Sequence, residues 1–117
     1  MYDKDKTIKG DLLMKDYFSY NNRLGILIPS LSKEWDDFDD EVQQGILLYW
    51  EKIRGGIPDR IAELEQVINK KQDALSDESD FIKSCELNSE IAELASQINE
   101  LWLWFRTGQD LSVKKHV

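Results

Sequence analysis

Two stretches of the chain, residues 57–75 and 81–105, repeat apolar residues at intervals of three and four positions. This spacing places the apolar side chains on one face of an α-helix, and two such helices can bury these faces by packing lengthwise. No other feature of the sequence restricts the fold as much. The apolar periodicity of these two stretches predicts an all-α protein built from long helices.

The second of these stretches fits a heptad frame with three mostly apolar positions. The a positions are Phe81, Asn88, Ala95 and Trp102, the d positions are Ser84, Ile91, Ile98 and Phe105, and the g positions are Leu87, Leu94 and Leu101. A stripe three positions wide is typical of a helical bundle rather than a two-stranded coiled coil. Asn88 either fixes the register of a helix pair, as buried asparagine does in coiled coils, or lies hydrated at the rim.

The first stretch predicts a helix from about residue 58 to residue 75, whose seam is interrupted by Lys71. The Lys71 amine either reaches solvent at the edge of the seam or pairs with a carboxylate such as Glu90 or Glu93. Residues 76–79, with the sequence Ser-Asp-Glu-Ser, compete with helix interior and interrupt the heptad frame, so we expect a loop there rather than one continuous helix. The next helix is expected over residues 80–107, with Gly108 as its C-terminal cap.

An earlier helix is predicted over residues 33–54, capped by Ser30 or Ser32, because Trp35, Phe38 and later apolar residues fall on one helical face. Residues 55–58, with the sequence Gly-Gly-Ile-Pro, predict a break and a reversal of the chain. The three helices then form an up-down-up antiparallel three-helix bundle or a long helical hairpin.

The N-terminal residues 1–32 are expected to wrap against this bundle. Asp11 can cap a short helix that reaches Phe18, and Asn21 with Asn22 predicts a turn. Residues 24–29 are apolar and too short for a helix, and we expect an extended segment docked on the helices, since no partner strand is evident. The chain is thus one helical domain, with residues 33–107 as the bundle and residues 108–117 as a flexible tail.

Two five-residue segments, 46–50 and 101–105, are apolar at every position and therefore all around the helix. In an up-down-up arrangement they meet at one end of the bundle, with more apolar surface than three helices can bury. The N-terminal segment, a second copy of the chain or a different partner or ligand then covers this end. Large aromatic and aliphatic anchors contribute most to such contacts, and the expected contact residues are Trp50, Leu101, Trp102, Trp104 and Phe105.

Six carboxylates lie within eight residues around Trp35 and Phe38. They are Glu34, Asp36, Asp37, Asp39, Asp40 and Glu41. They form a docking patch for a basic partner, a loose cation site or a solvated helix start that complements the helix dipole. The segment lacks the glycine and the oxygen spacing of a calcium loop, which favours the solvated helix start.

No cluster of residues indicates a catalytic, cofactor or metal site, and we expect a protein without enzymatic activity. Cys85, the single cysteine, falls beside the seam and is expected to be a small apolar filler. His116 lies in the tail without a partner for acid-base chemistry. A glycine-rich phosphate loop, a nucleophile elbow and the Glu-x-x-His pairs of carboxylate-bridged metal bundles are all missing.

The net charge of -8 disfavours nucleic acid and anionic membranes as partners. With one cysteine and neither a signal peptide nor a membrane span in view, we expect a cytoplasmic protein. The preferred interpretation is a small adaptor or regulator that acts through protein-protein interaction, possibly as a homodimer. One alternative is an acidic decoy that occupies a basic nucleic-acid-binding surface, and another is small-molecule binding in an aromatic pocket.

Overall fold

The computed structural model describes residues 14–108 and residue 111. The described chain is mostly helical, as predicted, and adds a two-stranded hairpin. In order, its elements are a 3-10 helix over Lys15–Tyr17, strand β1 over Phe18–Asn21, strand β2 over Ile26–Pro29, a 3-10 helix over Trp35–Asp37, and helices α1 over Asp40–Gly55, α2 over Ile57–Ser76 and α3 over Phe81–Thr107. None of the described helices combines the length and the apolar character needed to cross a bilayer.

Helices α2 and α3 form a long antiparallel hairpin, which the apolar periodicity predicted. The predicted loop between them is confirmed. Asp77 ends α2, and the Asp80 carboxylate accepts hydrogen bonds from the backbone N–H groups of Ile82 and Lys83 at 2.9 and 3.2 Å. This cap satisfies two of the unpaired N–H groups that every helix start exposes, so α3 begins anew instead of continuing α2.

The seam of the hairpin uses only two of the three predicted apolar positions of α3. The g and d residues from Leu87 to Leu101 are buried or partly buried, whereas the a residues Phe81, Asn88 and Ala95 are exposed. Two helices have a single line of contact, so a third apolar stripe finds no helix of the same chain to cover it. Asn88 is accordingly exposed and not part of the α2–α3 seam.

The junction between α1 and α2 differs from the expected reversal. Gly56 alone separates the two helices, and it adopts right-handed helical angles, with φ -90° and ψ -8°. Its N–H donates to the carbonyl of Ile53 at 3.0 Å, and its own carbonyl accepts from the N–H of Arg60 at 3.2 Å. Helical hydrogen bonding therefore bridges the glycine, and α1 contacts α2 little beyond the junction. The side-by-side packing of three helices is not confirmed.

Helix α1 begins at Asp40, so the prediction of a helix starting at residue 33 was wrong by two turns. Phe38, which is extended with φ -86° and ψ 142°, stops the preceding 3-10 turn. Its ring is buried against Tyr17, at 5.6 Å between centroids, and Trp35, at 6.3 Å, with the Lys33 amine 5.2 Å from its centre. Burial of this aromatic ring stabilises the chain more than extending the helix through residues 33–39 would.

Residues 26–29 pair with residues 18–21 in an antiparallel β-hairpin, in the register Phe18 with Pro29 and Asn21 with Ile26. The expectation of an unpaired extended segment was wrong, because Phe18 belongs to a strand and not to the end of a helix. The predicted turn at Asn21 is confirmed. Its side chain accepts from the N–H of Leu24 at 2.9 Å. Asp11, the predicted cap of the short helix, lies outside the described residues.

The core lies at one end of the molecule, where α1 and the β-hairpin meet the base of the α2–α3 hairpin. Its buried members include Leu24 from the turn, Ile46 and Trp50 from α1, and Leu101 from α3. Leu111, from the segment predicted as a tail, is also buried there. The outer half of the helical hairpin projects from this core, and the molecule measures 59 × 37 × 19 Å along its principal axes.

Candidate functional site: the aromatic end and the hairpin face

The two apolar five-residue segments meet, as predicted. They do so although the side-by-side packing of three helices, from which that prediction came, is not confirmed. The rings of Trp50 on α1 and Trp104 on α3 cross edge to face, with centroids 5.7 Å apart. The Arg54 guanidinium lies 5.0 Å from the Phe105 ring and donates to the Phe105 carbonyl at 3.1 Å. These contacts define the aromatic end of the molecule, which comprises residues 46–50 and 101–105.

The β-hairpin covers part of the aromatic end from within the chain. Phe18 packs on Tyr49, with centroids 5.0 Å apart, and stacks near Trp50 at 6.5 Å. The N-terminal segment therefore does part of the covering that the sequence required. The Trp50 indole N–H has no hydrogen-bond partner among the described residues although it is completely buried.

The five expected contact residues fall into two groups. Trp50 and Leu101 are fully buried inside the chain and offer no surface to a partner. Trp102, Trp104 and Phe105 are partly exposed and remain candidates for contact. Leu103, which is 50% exposed between two tryptophans, and Leu48, which is 69% exposed, were not predicted as contact residues. Their position inside segments that are apolar on all sides was the available signal.

The Arg23 side chain, in the turn of the β-hairpin, clamps that hairpin to α3. It donates hydrogen bonds to Glu93 at 2.6 Å, to Ser96 at 3.0 Å and to Glu100. The hydrogen bond from Arg23 holds the pKa of Glu93 below its usual value, and the bonds to Glu93 and Glu100 raise the pKa of Arg23. A charged group thus fixes the edge of the core to the middle of the helical hairpin.

The glutamates of α3 lie on one of the two long faces of the hairpin. At 100° per residue, Glu90, Glu93 and Glu100 fall on the opposite side of α3 from Asn88 and Ala95. The acidic side holds the Arg23 clamp and an ion pair between Lys71 and Glu90 at 3.2 Å. Of the two alternatives for Lys71, the structure shows the pairing with a carboxylate of α3. The other side, which carries Asn88 and Ala95, we call the neutral face.

The neutral face consists of the exposed a residues of α3 and a shallow groove beside them. The groove has a volume of about 580 Å³ and is lined by Glu65, Ile68, Asn69 and Gln72 from α2 and Ala95, Ile98 and Asn99 from α3. Glu65 is the one charged residue in this lining. The face therefore combines apolar side chains with amides, which donate and accept hydrogen bonds equally well. Phe81, at 80% exposure, lies at its outer end.

The acidic run lies on the surface, before and at the start of α1. Asp36, Asp37, Asp39, Asp40 and Glu41 are all exposed, and Asp40 and Glu41 lie in the first turn of α1, where the helix dipole favours them. Within the described residues, no group of histidine, cysteine and carboxylate side chains could hold a metal ion. Cys85 is exposed on α3, so its expected role as an apolar filler was wrong. His116 lies outside the described residues.

A second groove, of about 700 Å³, lies between the β-hairpin turn and the α1–α2 junction. Arg60 crosses it, donating to the Leu24 carbonyl at 2.9 Å and to Glu63 at 3.1 Å. Its guanidinium is thus engaged in holding the turn. This arrangement gives the groove a structural role.

Comparison of the chain with family models, with curated protein sequences and with solved structures gave no match.

Proposed function

We propose that this protein is a non-enzymatic adaptor or regulator that acts by binding another protein, and that the aromatic end is its principal contact surface. The observation that carries the proposal is the half-exposed Leu103 between two partly exposed tryptophans. Large, rigid aromatic residues that can be desolvated are the side chains on which binding energy concentrates.

The aromatic end is well suited to binding because its support is rigid. Trp104 rests against the buried Trp50, and Phe105 is held by the Arg54 guanidinium. Ordering costs are low for side chains that are already fixed by packing, so more of the contact energy appears as affinity. The partner is therefore expected to present a complementary apolar surface.

A pull-down with the immobilised 117-residue chain tests the proposal, with Leu103→Asp as the test variant. Ile82→Asp is the matched control, because Ile82 is an aliphatic residue of the same helix, 68% exposed, near its opposite end. We expect Leu103→Asp to lose the bound protein and Ile82→Asp to retain it. Equal retention by both variants would contradict a contact at the aromatic end.

Repeating the pull-down at two salt concentrations separates this function from that of an acidic decoy. Contacts between exposed charges weaken steeply with added salt, whereas contacts between apolar anchors do not. We expect binding that persists at high salt. Binding that disappears with salt and is lost in a variant with Asp36, Asp37 and Asp39 neutralised would favour the decoy.

A further inference from the structure

We propose that the neutral face of the α2–α3 hairpin is the contact surface for a second copy of this chain, and that two hairpins pack antiparallel into a four-helix bundle. This inference deepens the proposed function, because it names the chain itself as one partner. It concerns a surface that is separate from Leu103. Three observations favour a second copy as the partner of this face: the width of the apolar stripe on α3, the distribution of charge and the size of the face.

The apolar pattern of α3 is wider than its own chain can use. The d and g residues make the seam with α2, while Phe81, Asn88 and Ala95 remain exposed and Trp102 is only partly buried. A stripe of this width is the one that helices of four-helix bundles carry, since each packs against two neighbours. The structure supplies one neighbour for the outer half of α3, and a second hairpin supplies the other.

The distribution of charge selects another copy of this chain over a basic partner. With a net charge of -8, two copies repel each other at most orientations. The glutamates of the hairpin lie mainly on the face of the Arg23 clamp and the Lys71–Glu90 ion pair, leaving Glu65 as the single carboxylate in the groove of the neutral face. A neutral surface lets two acidic molecules approach, and amides pair with themselves across a two-fold axis because they both donate and accept.

The face is large enough for a stable dimer. From residue 81 to residue 102, α3 rises about 32 Å, and two helices side by side are about 20 Å wide. Contact over this area buries roughly 600 Å² on each copy, and the total is above the ~1,000 Å² expected of a specific interface.

The antiparallel orientation follows from the shape of the molecule. The core, α1 and the β-hairpin lie at the base of the helical hairpin, so a parallel pair would bring two bulky ends into collision. An antiparallel pair places Phe81 of one copy beside Trp102 of the other and Asn88 beside Ala95. The large residues at the two ends of the stripe then cover each other, and the small residues between them allow close approach of the helices.

Cysteine cross-linking tests the arrangement in the 117-residue chain. In a Cys85→Ser background, which removes the only native thiol, Asn88→Cys and Ala95→Cys are made separately. We expect oxidation to link the two variants when they are co-expressed, and each variant alone to stay uncoupled. Coupling of each variant with itself and not with the other would indicate parallel hairpins, and absence of coupling in every sample would contradict the contact.

A charge substitution provides the second test. Ala95→Glu places a carboxylate in the groove of the neutral face, and Ala74→Glu places one at an exposed position of α2 on the charged side. Like charges brought together at an interface are unfavourable, so Ala95→Glu is expected to raise the dimer dissociation constant by about tenfold or more, and Ala74→Glu to leave it nearly unchanged. Glutamate is a good helix former, and circular dichroism checks that both variants remain folded. Equal dissociation constants for the two variants would overturn the proposal.

The two proposals fail in different ways. If the chain is monomeric and Leu103→Asp still abolishes capture of another protein, the neutral face is not a contact surface and the proposed function stands. If Ala95→Glu separates the dimer while Leu103→Asp changes no binding, the aromatic end is not a contact surface and self-association stands.

Discussion

At the scale of single residues, the tight packing of Gly25 against Arg60 is the most sensitive point of the β-hairpin. Gly25 has φ +74°, and a Cβ atom there would lie 2.6 Å from the Arg60 Nε. That Nε donates to the Leu24 carbonyl at 2.9 Å, so a larger residue both strains the backbone and displaces a hydrogen bond.

Gly25→Ala is therefore expected to lower the free energy of unfolding by about 1–3 kcal/mol. Gly55→Ala is the matched control. Gly55 ends α1 with nothing within 4 Å of an added Cβ, and alanine there is expected to be neutral or to stabilise by about 0.5–1 kcal/mol. Urea unfolding of both variants checks the pair. Equal effects would show that the turn does not depend on close approach to Arg60.

Trp50 and Trp104 contact each other but are expected to respond differently to truncation. Trp50→Ala leaves a cavity in the core and should cost about 3–5 kcal/mol of stability. Trp104 is partly exposed, so Trp104→Ala is expected to cost less stability, to weaken binding of a partner at the aromatic end and to leave helicity largely intact. Circular dichroism and urea unfolding measure both. Unfolding of Trp104→Ala as a monomer would assign this residue to the core.

At the scale of elements, the Asp80 cap is the feature that separates α2 from α3. Asp80→Ala removes the acceptor of two backbone N–H groups and should lower stability by about 1 kcal/mol. Asp77→Ala, in the same loop but at the C-terminal end of α2, is the control and is expected to have little effect. A thermal melt compares them, and an equal loss in both would argue against a specific cap.

The Arg23 clamp gives the docking of the β-hairpin a pH dependence. Because Arg23 lowers the pKa of Glu93 in the folded protein, the clamp stabilises above the usual carboxyl pKa and is lost as the pH falls through the lowered value. Arg23→Gln is therefore expected to melt at a lower temperature than the wild type at pH 7. In acid the two should melt at the same temperature. The groups are exposed, so the difference should also shrink with salt. A difference that is constant with pH would contradict the clamp.

The helical hairpin could be predicted from the sequence because its signals are local. Apolar periodicity and the cap-forming residues of the loop fixed α2 and α3 closely. The β-hairpin was missed because Tyr17 and Phe18 continue the helix-like apolar spacing of the preceding residues, and pairing with residues 26–29 decides their conformation. Similarly, burial of Phe38 in an aromatic cluster delays α1, which no local propensity shows. Gly56 allows a reversal but does not require one.

The candidate site was predicted in part. The meeting of the two apolar segments followed from their positions, and the Trp50–Trp104 contact is the result. Which residues of these two segments would be buried could not be predicted, because their burial depends on where the β-hairpin docks. The neutral face was present in the heptad frame as the a positions, but only the structure shows that the d and g positions suffice for the seam.

At the scale of the whole molecule, the fold separates a core at one end from a long hairpin that projects from it. The buried residues gather around Trp50, and the outer half of the hairpin has none that is fully buried. Such a hairpin is stabilised by one seam only, and packing against a second hairpin would supply the missing core. The two proposed contact surfaces therefore lie along the length of the hairpin and at the aromatic end.

Light scattering over a range of concentrations gives the mass of the 117-residue chain in solution and decides directly between a monomer and the antiparallel dimer. We expect a mass that rises with concentration toward twice the 13.7 kDa of the single chain, and that falls back toward 13.7 kDa when Ala95→Glu is introduced. A mass that stays at that of one chain at every concentration would contradict the antiparallel dimer.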